Sequence, residues 1–161
     1  MDLKVIIILI AVIALGGFLY LKSGDSLPGD RIYPIKSIKE EIYLSLNSLN
    51  FESLIDANIV LANDRAKEVV KLVENQAKED LIRETLLRLN NNQRSVLDYT
   101  IRIRTRGSFA GDYFNKAEAV LEEHQKILSN LYYAIPNGLY SDLDNALDTT
   151  SQLLDRVRAN R

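Results

Sequence analysis

His124 is the side chain best suited to general acid–base chemistry or to zinc binding, and it is the only histidine among 161 residues. A general base needs an oriented partner in a pocket, and zinc needs three or four ligands. Glu122 and Glu123 are adjacent, but successive helical residues point in different directions, so they cannot all share a face with His124. We therefore expect a hydrogen-bonded residue on the apolar face of a helix, with no catalytic residue, metal ligand or cofactor.

Three aspartates near the end of the chain resemble part of a calcium-binding loop: Asp142, Asp144 and Asp148. Such a loop needs a further oxygen ligand where Ala146 stands and a glycine where Leu147 stands. We instead expect these carboxylates at the start of a helix, where the macrodipole stabilises each by about 0.3–1 kcal/mol.

The basic residues are most concentrated at Arg102, Arg104 and Arg106, with three further arginines upstream at positions 83, 88 and 94. A solvated helix face explains this concentration. The functional alternative is a docking patch for anionic lipid headgroups, cell-wall polymer or an acidic partner. The net charge of the whole chain is −2, which argues against nucleic acid as the main partner because that binding depends on neutralising phosphates.

Aromatic residues cluster around the last two predicted helices: Tyr113, Tyr132, Tyr133, Tyr140, Phe109 and Phe114. Packing explains them, and a small-ligand cleft is the alternative, although no set of polar residues accompanies it. The sequence has no phosphate-binding loop, dinucleotide fingerprint or nucleophile elbow. It also has no cysteine, which excludes disulfides, thiolate metal sites and a lipoprotein-type anchor. We expect no enzymatic activity.

The first element that would position these residues is an apolar run over residues 5–21, which contains no charge. At about 1.5 Å per residue it spans about 25 Å, close to a hydrocarbon core of about 30 Å. Tyr20 and Lys22 can extend the span into the interface. We predict a transmembrane helix within residues 1–22. A cleaved signal peptide, with Ala14 and Gly16 at the small-residue site, is the alternative.

Residues 23–33 are predicted to link this segment to the rest of the chain. Pro28 followed by Gly29 is typical of a type II turn, because proline presets the first central φ and glycine accepts the positive second one. Pro34 is suited to open a helix. We interpret the junction as a linker that orients a domain above a membrane; a recognition motif for a partner is the alternative.

A short motif in and after this linker carries a resemblance to a known family: Leu27, Pro28, Gly29 and Asp30, then Ile32, Tyr33, Pro34, Ile35 and Lys36. It resembles the opening motif of a family of uncharacterised prokaryotic extracytoplasmic domains, in which the motif lies between a membrane segment and long helices. Residues 61–65 are similar to that family's leucine-alanine-glutamate-x-arginine stretch, with Asn63 departing from it. The resemblance covers about residues 27–76. It implies a domain outside the cytoplasm, and no reaction, cofactor or catalytic residue.

The rest of the chain, residues 34–161, has apolar residues at helical spacing, which predicts an all-α, antiparallel bundle of four to five helices. The predicted helices cover residues 34–49, 51–76, 78–104, 113–134 and 142–158. The stripe of the first is Ile35, Ile38, Ile42, Leu46 and Leu49. We count this helix as part of the bundle.

The third predicted helix contains two ambiguous stretches. Asn90-Asn91-Asn92 has poor helix propensity and indicates a kink, a polar contact or a break. Residues 99–106 alternate with a period of two, which could be a strand, although their helical surroundings favour helix. Gly107 is a predicted helix stop, followed by a loop at residues 108–111.

Polar residues suggest where other helices begin. Asn50 is a predicted N-cap of the second helix and Asp112 of the fourth. Pro136-Asn137-Gly138 should end the fourth helix. Ser141 with Asp144 resembles a capping box for the fifth.

Together these features predict a membrane-anchored, extracytoplasmic helical module that acts by interaction or as structure, without catalysis, on a protein or cell-envelope partner. The alternative is a sensory or regulatory domain that binds a small ligand between its helices. An enzyme that uses carboxylates is the weakest hypothesis, because the acidic residues are scattered over helix faces and lack a paired, desolvated arrangement.

Overall fold

The computed structural model describes residues 16–17, 21–105 and 111–161. Within these ranges the regular structure is helical and contains no β-strand, which confirms the all-α prediction. The helices are α1 (Tyr33–Asn47), α2 (Phe51–Glu74), α3 (Glu79–Thr105), α4 (Gly111–Leu131) and α5 (Tyr140–Asn160). Single 3₁₀ turns cover Ser23–Asp25 and Asn137–Leu139.

The chain forms two compact units, Met1–Ile42 and Tyr43–Arg161, and the boundary between them falls within α1. None of the described helices is both long and apolar enough to cross a bilayer. The predicted transmembrane helix at residues 1–22 lies mostly outside the described residues, so it stays a prediction.

The four helices α2 to α5 form a bundle of two helical hairpins, α2–α3 and α4–α5. Each of α2 and α5 packs against both α3 and α4. Cross-helix contacts set the directions: Asp56–Lys116 and Asn63–His124 make α2 and α4 parallel, while Arg83–Asp142 and Arg104–Asn160 make α3 and α5 parallel. Within the second hairpin, Arg158 near the end of α5 pairs with Glu118 near the start of α4. Consecutive helices of the bundle therefore run antiparallel, as predicted.

The core lies between these four helices and is built from their apolar stripes. One large cluster draws on all of them; it includes Ile55, Leu97, Ile103, Phe114, Leu121, Leu154 and Val157. Phe114 is among the largest side chains that are fully buried. Burial of a side chain of this size contributes about 1.5–3 kcal/mol, which exceeds any local helix preference in this bundle.

Local signals predicted some helix starts correctly and others wrongly. Asn50 has an extended backbone, and its Oδ1 accepts a hydrogen bond of 2.8 Å from the backbone N–H of Glu52, so the predicted N-cap is confirmed. Asp112 is not a cap, because α4 begins one residue earlier, at Gly111, which was predicted as loop. The capping box at Ser141 is also wrong. Helix α5 begins at Tyr140 and has no side-chain cap, because the buried Leu139 and its 3₁₀ turn lead directly into it.

Helix α3 is continuous through both of its ambiguous stretches. Among the alternatives at Asn90-Asn91-Asn92, the structure has a polar contact: Asn92 donates a hydrogen bond of 3.2 Å to Asn58 on α2. Residues 99–105 are helical, which confirms the prediction over that range. The predicted stop at Gly107 and the loop residues 108–110 lie outside the described residues.

The end of α2 adopts a Schellman motif without a glycine. The N–H of Ala77 donates to the C=O of Leu72, and the N–H of Gln76 donates to the C=O of Val73. This geometry needs a left-handed residue, and Gln76 occupies it with φ of 50°.

We expect Gln76→Gly to stabilise the chain by about 0.5–1 kcal/mol, because glycine removes the left-handed strain of a residue that has a Cβ. Denaturation with urea would measure the change. Lys67→Gly on the same helix is the control. Lys67 is exposed within regular helix, so this substitution should destabilise by about 1 kcal/mol. A decrease in stability for both variants would contradict the prediction.

Candidate functional site

The junction motif forms the turn that its residue types predict. The N–H of Asp30 donates to the C=O of Leu27 over 2.9 Å, and Gly29 has a φ of 99°. The carboxylate of Asp30 closes the turn a second time by accepting 2.8 Å from the N–H of Leu27. Helix α1 follows directly, with Pro34 in its first turn. The turn geometry thus accounts for the residue types of Pro28, Gly29 and Asp30.

Tyr33 and Lys36 of the motif lie in the first turn of α1 and are both buried. Pro34 between them is exposed. Residues three apart in a helix lie on the same face, so Tyr33 and Lys36 can be buried together while Pro34 is exposed.

The arginines of the predicted basic patch do not converge. The guanidinium of Arg102 lies over the rings of Phe51 and Tyr99, at 6.0 and 5.7 Å from their centroids. Arg104 donates to the backbone C=O of Asn160 at the end of α5, where a cation is favourable. Residues two apart on a helix point about 200° apart, so Arg102 and Arg104 occupy different faces. Arg106 lies outside the described residues.

The three aspartates that resemble a calcium loop lie on α5 without a shared ligand position. Asp142 accepts 3.0 Å from Nε of Arg83 on α3, and this contact raises the pKa of Arg83. Asp148 accepts 2.7 Å from Gln152 one turn later. In the described part of the chain, no group of three or more His, Cys, Asp or Glu side chains is placed to hold a metal ion.

The aromatic residues are dispersed between core and surface. Phe114 is in the core, whereas Tyr133 is 96% exposed. The rings of Tyr132 and Tyr140 are 6.0 Å apart at the end of the second hairpin. Phe109 lies outside the described residues. The described rings therefore do not enclose a common cleft.

A layer of polar side chains crosses the bundle and takes one residue from each helix; we call Asn63, Gln93, His124 and Thr150 the polar layer. His124 on α4 is fully buried. Its Nε2 lies 2.9 Å from Oδ1 of Asn63 on α2, and its Nδ1 lies 3.1 Å from Nε2 of Gln93 on α3. Thr150 on α5 is 3.2 Å from Oε1 of Gln93 and 2.8 Å from the C=O of Ala146.

The contacts of His124 define its protonation state. An amide nitrogen only donates and an amide oxygen only accepts. The imidazole must therefore accept at Nδ1 and donate from Nε2, which is the neutral tautomer with its proton on Nε2. Burial lowers the pKa of His124 from 6.5 to about 4, since desolvation disfavours the charged ring. A neutral, buried imidazole held by two amides fixes the positions of the helices that it joins.

Sequence reasoning did not connect the members of the polar layer with one another, although a signal existed. Gln93 interrupts the buried stripe of α3 one turn after Leu89 and one turn before Leu97, and Thr150 similarly follows Ala146 on α5. A polar residue at such a position must find a hydrogen-bond partner. Which partner it finds depends on how the helices pack.

Four of the five residues in the predicted apolar stripe of α1 are exposed, and Ile35 is half-buried. We call Ile38, Ile42, Leu46 and Leu49 the apolar row; their exposed fractions are 56%, 54%, 74% and 97%. Leu49 lies two residues beyond the end of α1, and Tyr43 beside the row is also exposed. Helical spacing of apolar residues ordinarily indicates a covered face. That α1 belongs to the bundle stays a prediction.

A polar groove lies between α3 and α5 and has a volume of about 290 Å³. We call it the arginine groove. It is lined by Arg94 and Asp98 from α3 and by Thr149, Gln152, Leu153 and Arg156 from α5. Sequence reasoning noted Arg94 only as part of the basic concentration and did not connect it with Arg156, which is 62 positions later in the numbering.

Comparisons with protein-family models, with curated proteins and with solved structures find no match to this chain.

Proposed function

We propose that this chain is a membrane-anchored, extracytoplasmic helical interaction module without catalytic activity, and that it docks through the apolar row on α1. The anchor would be the apolar run at residues 5–21, and the resemblance of the junction motif supports a position outside the cytoplasm. The observation that carries the proposal is the apolar row itself.

The apolar row has the spacing of a helix that docks into a partner. Its members follow one another at intervals of three or four residues, and its two most exposed members are 74% and 97% accessible. Contiguous exposed apolar side chains mark interaction sites in water-soluble domains. Helices that dock into an apolar groove present anchors at the same intervals. A partner that covers the row would gain about 25 cal/mol of binding free energy for each Å² of apolar surface that it buries.

The charges of α1 favour a protein partner over an anionic surface. Lys36 and Lys39 are balanced by Glu40 and Glu41, so the helix has no net charge. A helix that binds anionic lipid normally has a polar face rich in lysine and arginine. The partner that fits is therefore an apolar helical face of another protein, and not a lipid surface or an acidic polymer.

The small size of the apolar row favours a partner in the same membrane. A stable interface takes roughly 20–30 residues from each side, whereas the row and Tyr43 provide five. Binding in free solution would be weak. Confining two proteins to one membrane raises their effective concentration, which compensates for a small contact. A docking surface as small as the apolar row is therefore consistent with a protein that is anchored in the same membrane as its partner.

The proposal is tested by photo-crosslinking the full-length chain in native membranes. A photoreactive residue at Leu46 lies in the apolar row, and one at Glu41 lies about 140° around the same helix. Both side chains are exposed. We expect position 46, and not position 41, to crosslink to one protein that mass spectrometry identifies. Protease added outside intact cells should remove the domain.

Placing Asp at position 42 is the matched test of apolar docking. We expect Ile42→Asp to reduce the crosslink from position 46 at least about tenfold, a loss of 1.4 kcal/mol. The stability of the bundle should change by less than about 0.5 kcal/mol, because Ile42 is 54% exposed. Equal crosslinking from both positions, or products that contain only lipid or a second copy of the chain, would overturn the proposed partner class.

A further inference from the structure

The arginine groove has two walls that face each other along parallel helices. Arg94 and Asp98 are one turn apart on α3, and the residues from α5 follow at positions 149, 152, 153 and 156. The volume of about 290 Å³ is at the lower end of the range for small-molecule sites, roughly 300–1,000 Å³. A groove of that volume has room for a molecule as small as an amino acid. All lining residues belong to the bundle.

Among the described residues, Arg94 and Arg156 do not make the ion pairs with carboxylates that Arg83, Arg88 and Arg158 make. Arg83 and Arg158 each make ion pairs with carboxylates at 2.7–3.0 Å. Among the described residues, neither Arg94 nor Arg156 has a carboxylate oxygen within 4.0 Å. This holds although Asp98 lies in the same groove. Two guanidinium groups on opposite walls are therefore available to a ligand.

The side chains that line the groove can bind both a negatively charged and a positively charged group. A guanidinium binds a carboxylate through two parallel N–H···O bonds, and Arg94 and Arg156 offer two such groups. The carboxylate of Asp98 repels a simple anion but attracts an ammonium group. Leu153, which is buried, provides an apolar surface at the base.

Gln152 is oriented so that it presents an acceptor. Its amide nitrogen donates a hydrogen bond of 2.7 Å to Asp148. The amide oxygen remains to accept a hydrogen bond from a ligand ammonium. The hydroxyl of Thr149 can donate or accept at the same wall.

We infer that the arginine groove binds a small zwitterion with a carboxylate and an ammonium group, the chemistry of a free α-amino acid. Arg94 and Arg156 hold the carboxylate, while Asp98 and the amide oxygen of Gln152 receive the ammonium group. This site is separate from the apolar row and does not depend on the function proposed for it. It gives the bundle the properties of a ligand-responsive domain.

The test is a titration of the ¹⁵N-labelled full-length chain, kept in detergent because of its apolar residues 5–21, with each of the common amino acids. Side-chain NMR of the guanidinium groups reports directly on Arg94 and Arg156. We expect at least one amino acid to shift both signals with saturation at millimolar concentration or below. Acetate and methylamine, which each carry one of the two charges, should bind at least about tenfold more weakly.

Three variants and one control make the result specific. Arg94→Gln and Arg156→Gln should each weaken amino-acid binding at least about tenfold. Asp98→Asn should weaken binding of the amino acid and strengthen binding of acetate. Arg31→Gln is the control, because Arg31 is exposed and lies outside the groove, and it should leave the Kd unchanged within about twofold. All four positions are exposed, so unfolding temperatures should stay close to that of the original chain.

Three results would overturn the inference. The first is no saturable shift with any amino acid up to about 10 mM, roughly ten times a Kd of 1 mM. The second is binding of acetate as tight as that of the amino acids, which would indicate a site for simple anions. The third is binding that the arginine variants leave unchanged. None of these results bears on crosslinking from the apolar row, so the two proposals fail independently.

Discussion

Arg65→Met is expected to destabilise the chain by about 3–5 kcal/mol, the usual cost of breaking a buried ion pair. Arg65 and Glu68 are one turn apart on α2, form an ion pair, and are each only 3% exposed. The substitution removes a positive charge from beside a carboxylate that water cannot solvate. Methionine has a similar length, so little packing volume is lost. Denaturation with urea at pH 7 would measure the loss.

Arg88→Met is the matched control for this prediction. Arg88 pairs with Glu84 at 2.5 Å on α3, but both side chains are more than one third exposed. Exposed pairs of this spacing contribute only about 0.3–0.5 kcal/mol. Comparing the stability losses of Arg65→Met and Arg88→Met therefore tests whether burial makes the ion pair of Arg65 the more important one. Similar losses for both variants would contradict the argument from burial.

Lowering the pH is expected to remove about 3 kcal/mol of stability through His124 alone. Burial lowers its pKa to about 4, from 6.5 for the ordinary value. Between these values the unfolded chain binds a proton that the folded chain does not bind, so acid favours unfolding. The contribution of His124 is intact above pH 6.5 and is lost progressively as the pH falls to about 4. At pH 5 about 2 kcal/mol should already be gone.

His124→Gln isolates this effect, because the chain has no other histidine. The variant should lack the part of the pH dependence that lies between pH 6.5 and 4, while the carboxylates contribute to both proteins and cancel in the comparison. Imidazole ¹⁵N shifts should report a neutral ring with its proton on Nε2 at pH 5. Parallel stability curves for the two proteins between pH 7 and 4.5 would show that the prediction is wrong.

The polar layer gives the bundle a means to select one helix register. A shift of any helix by one turn moves its polar residue by about 5.4 Å, which breaks its hydrogen bond. Each buried donor or acceptor left without a partner costs about 1–3 kcal/mol. The apolar stripes alone tolerate such shifts better, because one aliphatic contact can replace another. The layer is therefore best understood as a determinant of specificity, with His124 at its centre.

Periodicity and local chemistry determined much of the fold. Apolar spacing indicated five helices, whose ends differ from the observed ones by at most three residues. The turn at Pro28-Gly29 and the N-cap at Asn50 were predictable, because a φ preference and a short hydrogen bond depend only on neighbouring residues. The caps assigned to Asp112 and Ser141 were wrong. At Ser141, the packing of Leu139 decided where the helix begins. The predicted anchor and position outside the cytoplasm stay predictions.

Tertiary structure alone decided the features on which the proposals depend. The stripe on α1 has the same spacing as the core stripes of α2 to α5, yet most of it is exposed, because periodicity shows that a face is apolar without showing what covers it. The partners of His124 are 31 and 61 positions away in sequence, and Arg94 and Arg156 line one groove only because α3 and α5 pack side by side. Contacts of this kind arise from helix packing, which depends on the whole set of apolar faces and not on any local segment of sequence.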